Sequence, residues 1–194
     1  MELPPGARNR LLDYVRLLAK WNRVYNLTSV RKPQDMVTRH LLDSLVVLPH
    51  IEGPRVLDIG TGAGLPGMVL AIARPEWSLV LLDSSHKKLR FVRQAVTELG
   101  LENVEVAHCR IEDYQAEEPF DAVVSRAFSS LQEMLAQSSR LCRPEGRLFA
   151  MKGVFPVAEM DALEHPEAVE DTLPLSVPGL DAARHLVVMR PLPA

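Results

Sequence analysis

The sequence has few cysteines, whose disulfides stabilise small secreted proteins, and it has no segment typical of a membrane protein. Among 194 residues there are two cysteines, Cys109 and Cys142, which lie far apart and in no spacing typical of metal ligands. No apolar run approaches the length of a membrane-spanning helix. The first ten residues lack the apolar core of a secretory signal. We therefore expect a reduced, cytoplasmic protein that binds no metal and no membrane.

Aromatic residues are also scarce, at 5%, whereas hydrophobic residues make up 47% of the chain. Aliphatic side chains must therefore build the interior. A chain of this length is long enough for one domain with a full core and too short for two ordinary ones. We expect a single domain over residues 1–194, with a helical extension at 1–50 and a core at 51–194.

Positive charge is scarce overall but concentrated at the start of the chain. The formal net charge is −3, yet residues 1–40 carry eight Lys or Arg and three Asp or Glu. The first forty residues thus have a charge of +5 and the remainder −8. Two interpretations remain open: a basic face on an acidic body, or surface charges that are unevenly distributed without a function.

The order of apolar segments predicts an α/β fold. Helical periodicity fills most of the first fifty residues, in a helix that includes Leu11, Val15 and Leu18 and in a second that begins near Pro33 and ends at Pro49. Strands and helices then alternate, which is typical of a parallel sheet covered on both faces. The five predicted strands lie in RVLDIG, SLVLLDS, VEVAHCRIEDY, FDAVVSRAF and RLFAMKG, with a turn at RPEG before the fifth. The tail segments DTLPLSV and RHLVVMR predict an antiparallel pair.

Four of the ten glycines lie in one short loop after the first strand. Gly60, Gly62, Gly64 and Gly67 belong to VLDIGTGAGLPG, which follows a strand and opens a helix. Glycines in that context allow the backbone to approach a bound ligand closely. The ligand is either a dinucleotide held by its phosphates or a nucleoside cofactor without phosphate.

Two neighbouring residues favour the second alternative. Pro66 removes an N–H donor that a pyrophosphate would need, and the carboxylate of Asp58 repels phosphate but suits a cationic ligand. S-adenosylmethionine carries a sulfonium, an ammonium and a ribose diol. Asp83 follows Gly64 by 19 residues, close to the spacing of roughly 20 expected for an acid that binds ribose. The alternative is that Asp83 caps the next helix.

The adenine of such a cofactor would lie at the end of the third strand. Ile111 is placed to pack on its face, and Glu112 or Asp113 to bind its amino edge. The competing interpretation of Glu112 is a solvated acid in a loop.

Several segments together resemble one family. They are KWNRVYNLTSV, RHLLDSL, VLDIGTGAGLPG, LLDSSHKKLRFVRQ and FDAVVSRAF, and they resemble the RsmG (GidB) family of bacterial small-subunit ribosomal RNA methyltransferases. The similarity covers roughly residues 17–153 in order. The glycine loop alone indicates only a class I methyltransferase. The residues Asn26–Ser29, Arg39–His40 and Ser125–Phe128 narrow the resemblance to this family.

The resemblance implies a reaction and a fold. The reaction is methylation of N7 of guanine 527 in the 530 loop of 16S rRNA, with S-adenosylmethionine as cofactor. The substrate is the rRNA, the small ribosomal subunit or its assembly intermediate. The fold is a class I, Rossmann-like α/β fold with a mostly parallel seven-stranded sheet, an antiparallel C-terminal hairpin and N-terminal helices. We expect a helix that often precedes LLDYVRLLAKWN in the family to be absent here. The alternatives are a small-molecule methyltransferase and a non-catalytic RNA- or nucleotide-binding module.

The chemistry indicates which residues to expect in the site. Guanine N7 has a free lone pair, so the reaction needs an in-line approach and no general base. We interpret both cysteines, His40 and His108 as ordinary packing residues. Arg126 ends the fourth strand, where ligands bind in open parallel sheets. It is therefore the catalytic candidate, able to contact the cofactor carboxylate, guanine O6 or a phosphate. Alternatively it pairs with Glu112.

The full prediction assigns two sets of residues. The cofactor set, in part implied by the resemblance, is Asp58, Gly60, Gly62, Gly64, Leu65, Asp83, Ile111, Glu112 and Arg126. The RNA-binding set is Asn26, Arg39, Lys87, Lys88, Arg90 and Lys152. Alternatively, Lys152 is a solvated lysine at a strand end and Asn26 is an ordinary turn residue. No strong exposed apolar stripe is visible, so we expect a monomer.

Overall fold

A seven-stranded sheet forms the centre of the molecule in a computed structural model that describes residues 2–126 and 128–193. Met1, Ala194 and Ala127, which belongs to the Ser125–Phe128 motif, lie outside the described residues. The strands are β1 Arg55–Ile59, β2 Ser78–Asp83, β3 Val104–His108, β4 Phe120–Ser125, β5 Cys142–Lys152, β6 Val169–Pro174 and β7 His185–Met189. Their order across the sheet is β3-β2-β1-β4-β5-β7-β6.

Strand pairing confirms the predicted mostly parallel sheet with an antiparallel tail. The first five strands pair in parallel. Strand β7 is antiparallel to both of its neighbours, β5 and β6. The order of the strands reverses between β1 and β4, which is the point where open α/β sheets bind ligands.

The N-terminal region is helical, as predicted. Helix α1 spans Ala7–Tyr25 and buries Leu11, Tyr14 and Leu18 in the same hydrophobic cluster as the sheet residues Val56 and Leu79. The next helical stretch comprises α2 (Pro33–Met36), a π-helical segment (Val37–Leu42), α3 (Asp43–Leu45) and a 3-10 turn (Leu48–His50). The π-helical segment was not expected, because its i to i+5 hydrogen bonds have no sequence signal.

The remaining helices cover the sheet. They are α4 Gly67–Ala73, α5 His86–Leu99, α6 Leu131–Ser138 and α7 Val157–Asp161, with single 3-10 turns at Ile111–Asp113, Ser139–Leu141 and Pro166–Ala168. Alternate residues of β1 and β2 belong to two different clusters, with Leu57 and Val80 in one and Val56 and Leu79 in the other. Both faces of the central strands are therefore buried, which explains their continuous apolar sequence. Among the described residues no helix is long and apolar enough to cross a membrane.

The predicted turn at RPEG is wrong. Strand β5 begins at Cys142 and runs through these residues, and its register with β4 shifts between Phe120 and Ala122. Gly146 makes this close pairing sterically feasible, since an added Cβ would lie 2.6 Å from the backbone oxygen of Asp121. Proline and glycine here belong to an irregular strand start and not to a free turn.

Candidate active site

A cavity of about 480 Å³ opens at the carboxyl ends of β1 to β4. Four predicted cofactor residues, Gly60, Asp83, Ile111 and Glu112, line it together with Lys88. The sheet topology brings them together because parallel strands end at the same edge. Four of the nine residues predicted for the cofactor therefore lie at this cavity, and their binding of the cofactor stays a prediction.

The glycine loop is held tightly between β1 and β2. Gly60, Gly62 and Gly64 have positive φ angles of 65°, 62° and 91°, which favour glycine. The N–H of Gly62 donates to Oδ2 of Asp83 at 2.8 Å. Leu65 is only 2% exposed. Its side chain therefore supports the loop from below, so any cofactor contact would have to come from its backbone.

Asp58 lies beneath the loop and not on the cavity surface. Its Oδ2 accepts hydrogen bonds from Thr61 Oγ1 at 2.6 Å and from the N–H of Gly67 at 2.8 Å. Its Oδ1 is buried without a partner. Burial raises the pKa of Asp58 to about 7, against the lowering effect of these two hydrogen bonds. The predicted direct contact between Asp58 and the cofactor is not supported, because the residue is 0% exposed.

Asp83 is fixed by two backbone groups. Besides the bond from Gly62, its Oδ1 accepts from the N–H of Ser85 at 2.7 Å. The cap of helix α5 is Ser85, whose hydroxyl accepts from the N–H of Lys88. The alternative role of Asp83 as the helix cap is therefore wrong. Each carboxylate oxygen keeps a second lone pair, which is the requirement for binding a ribose diol.

An arginine that the sequence analysis did not identify fixes the segment at the end of β3. Arg140 donates to the backbone oxygens of Ile111 at 2.6 Å and Tyr114 at 3.0 Å. Ile111 is buried, whereas the side chain of Glu112 is exposed beside the cavity. Arg140 has no local motif, because its partners lie roughly 30 residues earlier in the chain.

A second cavity, of about 330 Å³, lies on the other side of the β4 terminus. Its charged lining is mostly cationic and includes Arg39, Asp43, Arg126, Lys152 and Arg184. Arg126 lines this cavity and, within the described residues, does not line the first one. Arg126 thus lies at the second cavity, and its predicted contact with the cofactor stays a prediction. The alternative pairing of Arg126 with Glu112 is wrong, since its acidic partner is Asp43.

Three groups surround the guanidinium of Arg126. Its Nη1 lies 3.8 Å from Oδ2 of Asp43, 3.4 Å from the backbone oxygen of Arg39 and 3.3 Å from Nδ1 of His40. Nδ1 of His40 also lies 2.9 Å from the backbone oxygen of Arg39, so the ring packs against the guanidinium and the carbonyl at once. The opposite ring nitrogen, Nε2, lies 2.9 Å from Oγ1 of Thr28.

His40 is a part of this site that the sequence analysis missed. Burial, followed by the charge of Arg126, lowers the pKa of His40 to about 4. The imidazole is therefore neutral at pH 7. The RHLLDSL segment contained the available signal, because it brings Arg39, His40 and Asp43 together within five residues.

Two predicted RNA-binding residues have intramolecular partners. Nζ of Lys152 binds both carboxylate oxygens of Glu159, at 3.0 and 2.7 Å, at the edge of the second cavity. The alternative of a solvated lysine at the strand end is thus wrong. Asn26 ends α1 with a φ of 49° and accepts a hydrogen bond from Arg31. It has the turn role that the sequence left open.

The basic residues at the start of helix α5 lie on two different surfaces, the exposed outer face of the helix and the first cavity. Lys87 and Arg90 are exposed, as is Arg39 at the second cavity, whereas Lys88 is half-buried and lines the first cavity. The placement of Lys88 in the RNA-binding set is therefore not supported. Among the described residues, no group of three or more His, Cys, Asp or Glu is arranged to hold a metal ion.

Comparison with known proteins agrees with this geometry. The sequence matches the GidB family, described as rRNA small subunit methyltransferase G, over residues 7–187. The chain belongs to the GidB family. Ribosomal RNA small subunit methyltransferase G of Yersinia enterocolitica is 52% identical over 191 residues, covering 98% of this chain and 93% of that protein. The protein of the same name from Yersinia pseudotuberculosis is 51% identical, covering 97% of this chain and 92% of the relative.

Solved structures are similar to this GidB family member in fold. The S-adenosylmethionine-dependent methyltransferase SibL, in its apo form, has a TM-score of 0.64 at 17% identity, covering 95% of this chain and 70% of that one. An Aquifex aeolicus SAM-dependent methyltransferase has a TM-score of 0.63 at 19% identity, covering 89% and 97%. Family and fold confirm the resemblance and the predicted methyltransferase that uses S-adenosylmethionine.

Proposed function

We propose that this GidB family member transfers the methyl group of S-adenosylmethionine to N7 of a guanine in 16S rRNA, namely guanine 527 of the 530 loop. One observation carries the proposal. Ser125 lines the cavity at the glycine loop, and the next residue, Arg126, lines the cationic cavity. A methyl donor in the first cavity and a nucleotide in the second would therefore meet at the end of β4.

The first cavity suits the donor through its own groups. Gly60 allows close approach of the backbone, Asp83 offers lone pairs to the ribose and Ile111 offers an apolar surface to the adenine. The exposed carboxylate of Glu112 suits the amino edge of that ring. Lys88 lies at the same cavity and extends this set. When bound, S-adenosylmethionine supplies a methyl group on a sulfonium.

The reaction places a simple demand on the protein. The N7 lone pair forms the new C–N bond while the S–C bond breaks, so the sulfonium becomes a thioether and the purine takes the positive charge. No proton leaves N7, so the site needs no general base. A cation does not stabilise a purine that is becoming positive, so Arg126 acts by orienting the nucleotide through its O6 or a phosphate.

The outer surface suits an RNA substrate. Lys87 and Arg90 are exposed three residues apart at the start of α5, so they share a face beside the donor cavity. Arg39 is exposed at the second cavity. These cations supply a local basic surface on a chain of net charge −3. Phosphate contacts of this kind dominate RNA affinity.

The small ribosomal subunit or its assembly intermediate is the proposed form of the substrate, and the cytoplasm is the proposed location. We also propose a monomer. Among the described residues only four large hydrophobic side chains are exposed, namely Val24, Val154, Phe155 and Val157, which leaves little apolar surface for a stable dimer.

The test is methyl transfer from labelled donor to RNA that lacks the modification. Naked 16S rRNA and small subunits from a strain without this activity are incubated with the enzyme, and the label is mapped by cleavage at N7-methylguanine. We expect a single site in the 530 loop. Label at an adenine, at another guanine position or only on protein would contradict the proposal.

Arg126→Ala tests the proposed site within that assay. Loss of a positioned donor typically lowers turnover by roughly 10²- to 10³-fold. Arg143→Ala is the matched control, since Arg143 pairs with Asp121 at the opposite end of β4. Near-normal turnover of Arg126→Ala with both substrates limiting would contradict the role of Arg126.

A further inference from the structure

A buried carboxylate joins two arginines at the base of the cationic cavity. Oδ1 of Asp43 accepts a hydrogen bond from Nε of Arg184 at 2.6 Å, and its Oδ2 lies 3.8 Å from Nη1 of Arg126. The side chain of Asp43 is 5% exposed, whereas those of the two arginines are about one quarter exposed. The carboxylate lines the cavity with little of its surface exposed, and it lies within ion-pair distance of both guanidinium groups.

Three distant parts of the chain supply these groups. Asp43 follows the π-helical segment, and its N–H donates to the backbone oxygens of Thr38 and His40. Arg126 follows β4. Arg184 immediately precedes β7 and is 141 residues from Asp43 in sequence. The C-terminal hairpin therefore contributes a charged group to a cavity whose other cations come from the helical region and the parallel strands.

The groups around Arg126 limit the rotamers that its side chain can adopt. An arginine side chain has many rotamers, and fixing it in one costs conformational entropy. Oδ2 of Asp43 lies 3.8 Å and Nδ1 of His40 lies 3.3 Å from its Nη1. Without the charge of Asp43, two guanidinium groups would share one cavity with no anion between them, and their repulsion would favour other rotamers.

We propose that Asp43 is a positioning residue for methyl transfer, which holds Arg126 and Arg184 together so that both guanidinium groups face the target nucleotide. The inference rests on the proposed function of this cavity. Arg184 is then a second group that contacts RNA, and Asp43 acts through the arginines without touching the substrate.

The variants are Asp43→Asn, which keeps shape and removes charge, and Arg184→Gln. Asp121→Asn is the matched control, because Asp121 forms a 2.6 Å ion pair with Arg143 at the other end of β4. We expect Asp43→Asn to lower kcat by roughly 10- to 100-fold, the scale of a small misplacement of a reacting group. The Kd for S-adenosylmethionine should stay within about twofold, and Tm should fall no further than in the control. Arg184→Gln should raise KM for the small subunit.

A double-mutant cycle separates positioning from a structural effect. In an Arg126→Ala background, Asp43→Asn should lower single-turnover rates by less than about threefold. If the rate losses of Arg126→Ala and Asp43→Asn multiply in the double variant, the two residues act independently and the proposal is overturned. A wild-type kcat in Asp43→Asn would also overturn it. A rise in the Kd for S-adenosylmethionine that matches the loss of kcat would also overturn it.

One readout needs no turnover, so it remains decisive if the proposed function fails. NMR of the arginine side chains, with Arg126→Ala and Arg184→Gln for assignment, should show slow guanidinium rotation in the wild type and averaged signals in Asp43→Asn. Unchanged signals in Asp43→Asn would overturn the positioning role of Asp43 and leave the proposed function standing. A wild-type enzyme that labels no RNA would overturn only the proposed function.

Discussion

Replacing Asp58 with asparagine should change how the stability of the protein depends on pH. The carboxyl is 0% exposed, and its pKa rises from 3.8 to about 7 because of burial. In the folded protein it therefore keeps its proton up to about pH 7, whereas in the unfolded chain it loses the proton near pH 3.8. The folded state binds more protons across this window, so ionisation of Asp58 lowers the free energy of unfolding as pH rises.

The size of the effect follows from the shift. One pKa unit corresponds to about 1.4 kcal/mol. Between pH 5 and pH 8 the raised pKa of Asp58 predicts that the free energy of unfolding falls by roughly 2 to 3 kcal/mol. Asparagine has no such proton to lose. The lowered pKa of His40 acts in the opposite direction between about pH 4 and 6.5, but it is common to both proteins and cancels in the comparison.

The assay is urea unfolding of wild type and Asp58→Asn at pH 5 and at pH 8. At pH 5 we expect the variant to be the less stable protein, because its amide nitrogen takes the place of an oxygen that is buried without a partner. At pH 8 that deficit should shrink or reverse by roughly 2 to 3 kcal/mol. An equal difference in free energy at both pH values would refute the raised pKa and the reasoning built on it.

Two further predictions concern the glycine loop and the basic surface. At Gly67 an added Cβ would clash with a methyl carbon of Leu81, so Gly67→Ala should lower the free energy of unfolding in urea by about 1–3 kcal/mol. At Gly62 an added Cβ would make only an ordinary contact, but φ is 62°, so Gly62→Val strains the loop backbone and should abolish calorimetric binding of S-adenosylmethionine. Normal binding of S-adenosylmethionine by a folded Gly62→Val variant would contradict this prediction. The pair Lys87→Glu and Arg90→Glu should weaken RNA binding and flatten its salt dependence by about 0.7 log units for each phosphate that the variant no longer binds, with unchanged affinity for S-adenosylmethionine. Lys88→Glu should lower the affinity for S-adenosylmethionine and leave RNA binding and its salt dependence unchanged. An unchanged salt slope in the Lys87→Glu/Arg90→Glu double variant would exclude this face of α5 from the RNA interface.

The cofactor cavity could be predicted because its signals are local. A glycine loop after a strand and an acid 19 residues beyond Gly64 define positions at strand ends, and a parallel sheet brings strand ends together. The same reasoning predicted that Asp58 contacts the cofactor, whereas its side chain is fully buried. Its position at the end of β1 is visible in the sequence, but the side of the strand that it occupies depends on packing against Gly67.

The cationic cavity could be predicted only in part. Arg126 and Lys152 end strands and were identified for that reason. Arg184 and Asp43 were not, because no periodicity or spacing links residues that are 141 positions apart. His40 was treated as a packing residue, since an apolar sequence context does not distinguish a buried packing histidine from one that lies beside Arg126. The irregular start of β5 was missed because pairing with β4 outweighs the turn preference of its proline and glycine.

The placement of β7 has a consequence for how the protein is synthesised. This strand follows β6 in sequence but lies between β5 and β6 in the sheet. While the chain emerges from the ribosome, β5 can pair with β4 but has an open edge until His185–Met189 arrives. Arg184 enters the cavity in the same step. The nascent chain can therefore form its glycine loop and donor cavity early, but it gains its complete set of cavity cations only when the last strand inserts, which restricts activity to chains that have finished this insertion.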